Sequence, residues 1–93
     1  MSSDQRLAKL GTLEEKKQRA IALSVEIHHL REEINRATDA SKPIASLALD
    51  ELSVLMQRLQ EKTTEHRQLC DDLRELSEDL NVQMPTTDVR RKR

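Results

Sequence analysis

Seven leucines between Leu52 and Leu80 constrain this chain more than anything else in it. Leu52, Leu59, Leu73 and Leu80 are separated by multiples of seven, and Leu55, Leu69 and Leu76 occupy the series offset from them by three. That is the two-position apolar seam of a helix packed lengthwise on another helix. A single stripe with nothing against it leaves its leucines in water, so the rest of the chain has to be read for what covers them.

The first candidate is a second amphipathic run. Leu13, Ala20, Ile27 and Ile34 repeat every seven, with Leu23, Leu30 and Ala37 between them. Ile21 and Val25 add a second apolar row beside this seam, and Met56 does the same on the later helix, a width that suits contact with more than one neighbour. Leu7 and Leu10 fall out of phase with Leu13, and Gly11 and Thr12 stand between them. The pattern places a partly helical N-terminal extension over 1–11 and the first helix over 12–38, with Thr12 and Glu15 spaced as a reciprocal cap. A helix continuous through Gly11, at a cost of ~1 kcal/mol, is the alternative.

Between the two runs, Thr38 to Lys42 lack periodicity and Pro43 stops a helix, so a turn is expected over 39–46. Ser46 is the expected cap of a second helix over 47–81, with Asp50 and Glu51 in its first turn and Asn81 as a left-handed terminator. A short turn makes the helices antiparallel. Charge agrees. Over residues 1–20 five bases (Arg6, Lys9, Lys16, Lys17, Arg19) against three acids (Asp4, Glu14, Glu15) leave +2. Over 65–82 two bases (Arg67, Arg74) against six acids (Glu65, Asp71, Asp72, Glu75, Glu78, Asp79) leave −4, so a hairpin sets opposite signs side by side. A flexible basic tail is expected over 82–93.

Two helices alone build a thin core, and here there is no Phe, Tyr or Trp among 93 residues to thicken it. One cysteine, Cys70, excludes an intrachain disulfide and suits a reducing compartment. Self-association is the remaining way to a larger core. The expected fold is therefore all-α: an antiparallel hairpin of two long amphipathic helices, self-associating into a four-helix bundle or coiled-coil dimer. Its seam is Leu13, Ala20, Leu23, Ile27, Leu30 and Ile34 facing Leu52, Leu55, Leu59, Leu69, Leu73, Leu76 and Leu80. The absence of a long apolar run points to a soluble cytoplasmic protein, a nuclear place staying open, with no membrane contact.

Little in the sequence carries chemistry. His28 and His29 are adjacent and diverge by about 100° on a helix, and His66 is distant from both, so no metal set is expected. One glycine excludes a glycine-rich phosphate loop, and the paired acids Glu32-Glu33 and Asp71-Asp72 are neighbours on one chain segment rather than groups converging across a cleft. The chain is expected not to be an enzyme and to use no cofactor or small-molecule substrate. Lys62 and His66 interrupt the seam, as a polar core layer that fixes register or as side chains reaching out to solvent. As a layer, His66 would meet its twofold mate in an antiparallel dimer. Arg90, Arg91, Lys92 and Arg93 offer an anionic partner a contact.

Two functions fit these residues. One is a non-enzymatic coiled-coil interaction protein, an oligomerising adaptor, assembly factor or complex subunit, dimeric and offering a face to another helical protein. The other is a small dimeric nucleic-acid-associated regulator whose basic tail grips phosphates, without aromatics to stack on bases.

Overall fold

A computed structural model describes residues 2–89. Helix α1 spans Ser3–Ala37 and helix α2 spans Leu49–Leu80, with a single 3-10 turn at Ile44–Ser46 between them. The two helices pack against each other as an antiparallel hairpin, 63 × 28 × 15 Å in extent.

The first helix begins at Ser3, not Thr12. Ser2 is its cap, its hydroxyl accepting from Gln5 N and its own N–H donating to Gln5 Oε1, so the reciprocal cap lies ten residues before the expected one. Thr12 is inside the helix and its hydroxyl donates back to Ala8 O. Gly11 is tolerated there because the preceding turns are anchored on α2: Arg6 Nη1 donates to Leu80 O at 2.9 Å and Lys9 reaches Asp79 at 3.5 Å. Its α-carbon faces open space.

Thr38 closes α1, its N–H and hydroxyl both donating to Ile34 O. Asp39 Oδ1 then accepts from the N–H and hydroxyl of Ser41, a local turn that lowers the Asp39 pKa from its ordinary 3.8. Ser46 does not cap α2. Its hydroxyl donates to Pro43 O inside the 3-10 turn, and Ala48 occupies the cap position with no side-chain bond. Asp50 and Glu51 do sit in the first turn of α2, where the helix dipole favours acids. Asn81 ends α2 in the left-handed conformation (φ 55°), which its short polar side chain tolerates.

At this reversal Asn81 N–H bonds Glu78 O and Val82 N–H bonds Ser77 O, turning the chain back on itself. The segment expected as a flexible tail runs back along the hairpin as far as Val89, whose N–H donates to Ser24 Oγ at 3.1 Å. Residues 82–89 thus form an extended strap.

Burial divides the hairpin in two. Toward the open end, where α1 begins and α2 ends, Ala20, Leu23, Leu73 and Leu80 are buried, together with the hydroxyl side chains Ser24 and Ser77. Toward the closed end Leu30 is buried, while Ile27, Ile34, Leu52, Leu55 and Leu59 are half-buried and Val25, Ile44, Leu49, Val54 and Met56 are exposed.

Gly11→Ala should raise the unfolding free energy by about 1 kcal/mol, since a methyl group there meets nothing and alanine costs the helix less backbone entropy. Urea denaturation followed by far-UV circular dichroism reads the change.

Candidate functional site

The functional surface is best followed along one row of α2. Leu52, Met56, Leu59, Thr63, His66, Cys70, Leu73 and Ser77 step by three and four residues and so share a face. That row has two environments. From His66 to Ser77 it lies under the strap: His66 Nε2 donates to Thr87 O at 2.9 Å and lies 3.2 Å from Asp88 Oδ1. Cys70 Sγ is 3.7 Å from His66 Nδ1, and the Ser77 hydroxyl meets Met84 Sδ at 4.0 Å. From Thr63 back to Leu52 the row makes no strap contact: Met56 is exposed and Leu52, Leu59 and Thr63 are half-buried. Ser53, Met56, Gln57, Leu59, Gln60, Thr63, Thr64 and Arg67 line an open hollow of about 610 Å³ that reaches the turn of α2 holding His66.

The other flank of the hairpin is polar. Asp79, Asp72 and Glu65 repeat every seven and are met by Lys9, Lys16 and Arg19 of α1, the last two at 2.8 Å. Closer to the turn the signs exchange, and Lys62 of α2 meets Glu26 of α1 at 2.8 Å. These contacts tie positions far apart in sequence to one register. Each is partly exposed and worth little alone, but a one-turn slip would break all four together.

Lys62 and His66 therefore do not act as one polar layer. Lys62 turns to the ion-paired edge, while His66 turns to the strap and is satisfied within its own chain, leaving its imidazole nothing to share with a twofold mate. Its side chain is 15% exposed. Of the second apolar row, Ile21 is half-buried and Val25 and Met56 are exposed. Leu13, Leu69 and Leu76 are half-buried along the helix contact. Arg90, Arg91, Lys92 and Arg93 lie outside the described residues. Ser24 and Ser77 were not anticipated. Their signal was visible as hydroxyls standing at seam-flanking positions where an aliphatic would pack, and the strap accounts for both.

Among the described residues no group of three or more His, Cys, Asp or Glu side chains is placed to hold a metal ion, and no helix is long and apolar enough to cross a membrane. What the arrangement offers is a helical face, half covered and half open. Compared with protein families, with curated proteins and with solved structures, the chain matches none.

Two of the cross-helix carboxylates make the hairpin acid-sensitive. The hydrogen bond from Lys62 holds Glu26 below its ordinary 4.5, and those from Lys16 and then Gln68 hold Asp72 below its ordinary 3.8. A lowered folded pKa stabilises the fold fully above the ordinary value and ceases to do so as pH falls through the lowered one. The urea midpoint should therefore decline as pH drops from about 4.5 through the range below 3.8. Lys16→Met should flatten the Asp72 share of that decline.

Proposed function

We propose that this chain is a helix-helix interaction protein, an oligomerising adaptor or complex subunit that acts by binding and not by catalysis, and that its first partner is a second copy of itself. The observation that supports this most is the uneven burial of apolar side chains along one row of α2. The open-end half is shielded by the chain's own strap, whereas Leu49 is 68% and Met56 53% exposed at the closed end. Apolar side chains repeated at helical spacing and left in water are what a helix-in-groove contact uses.

The charge of this surface also favours a second copy. The hollow's lining carries a single charged residue, Arg67, at its edge beside the strap, so two such faces meet without like charges opposed at their centre. Two hairpins joined there make a four-helix layer in which Leu52, Met56 and Leu59 of each copy cover those of the other.

Light scattering of the full chain across a dilution series tests this directly. The mass should move between one chain and two. Met56→Glu, at an exposed position that leaves the hairpin's own contacts intact, should raise the dissociation constant at least about tenfold, since placing a charge where a methionine is to be buried costs more than the ~1.4 kcal/mol of one decade. A wild-type chain that stays single at the highest attainable concentration overturns the reading.

A further inference from the structure

We propose that residues 82–89 are an autoinhibitory strap: by occupying the open-end half of the α2 row they withhold a second helix-binding surface and confine self-association to the closed-end half. What is withheld, a seat for a second copy, rests on the homodimer reading above. That the strap occupies the seat is a matter of geometry.

The strap is seated by few contacts. Beyond the reversal at Asn81 and Val82, Met84 Sδ meets Ser77, Thr87 O and the Asp88 carboxylate meet His66 Nε2, and Val89 N–H meets Ser24 Oγ. The residues it touches, Ser24, His66 and Ser77, flank Ala20, Leu23 and Leu73 in sequence, and these three are fully buried seam residues of the same kind as those exposed at the closed end. Met84 and Val89 are 37% and 39% exposed and Val82, Pro85 and Thr87 are half-buried, so the strap lies on the hairpin without being enclosed by it. An element held by four polar contacts, each of modest net worth in water, opens more readily than the helices it lies on.

The two buried hydroxyls make that opening reversible. With the strap down, Ser24 accepts from Val89 and donates to Ile21 O, and Ser77 donates to Met84. With the strap up, both are hydrated, so the groove does not close over an unpaired polar group and stays able to take either the strap or a helix. A leucine at either place would seal the seam and leave nothing to regulate.

Cys70 is the chain's single cysteine, half-buried and in contact with His66, the residue the strap holds, so its thiol reports the strap's position. The test uses the full chain carrying Asp88→Ala with Val89→Pro, which removes the carboxylate and the donating N–H and leaves both helices unaltered. Cys70 labelling by an aromatic disulfide reagent should accelerate roughly tenfold, the effect of losing contacts worth about one decade. Light scattering should show tighter association than wild type. Ser24→Ala, which deletes the acceptor on α1, should shift both readouts the same way, and unchanged far-UV helicity shows that the hairpin is intact.

The two proposals separate in a Met56→Glu background, where the closed-end surface is disabled. Adding the strap substitutions there should restore self-association through the open-end half. Labelling that stays at the wild-type rate, or faster labelling with no gain in mass in either background, overturns the strap as an inhibitor. If wild type is a monomer but the strap variant associates, the inhibitor stands and the closed-end reading falls.

Discussion

Two helices cannot cover each other. Where only two helices pack, the flanks of their contact stay open to water unless a further layer covers them. The structure depends on how this deficit is met. At the open end a third layer is supplied by the chain itself, an extended segment requiring no periodicity and only a few polar anchors. At the closed end no such layer exists among the described residues, and Leu49, Val54 and Met56 stay in solvent. The functional readings all follow from that asymmetry.

The two flanks of the hairpin divide the work. On one, Lys9, Lys16, Arg19 and Lys62 meet carboxylates across the helix contact and fix register. Heptad seams of leucine and isoleucine tolerate slippage by a turn, because one aliphatic replaces another at similar cost, whereas matched charges do not. With register held on one flank, the other is free to carry uncharged residues and to be covered or uncovered. His66 and Cys70 belong to the second flank, which is why the imidazole finds its partners in residues 87 and 88 and not in another helix.

The helix pair was legible in the sequence because it rests on repetition. The leucine series of α2, the isoleucine series of α1, the proline between them and the opposed charges of their ends all point to one hairpin, and Ala20, Leu23, Leu30, Leu73 and Leu80 lie on those series. The strap was not legible, because an extended segment tied by single hydrogen bonds to Ser24, His66 and Ser77 has no period to detect. The start of α1 was misplaced for a related reason. Leu7 is 66% exposed at the hairpin's open end, so its departure from the heptad marks the end of the core and not the end of the helix.

The guanidinium of Arg6 rests on the last carbonyl of α2, next to the residue where the chain reverses. The start of α1 and the end of α2 are therefore mechanically linked: the opening helical turns act as a buttress behind the bend from which the strap springs. Fraying of the amino terminus, from proteolysis or a bulky fusion, would loosen the carboxyl-terminal fold some seventy residues downstream, without touching any residue between.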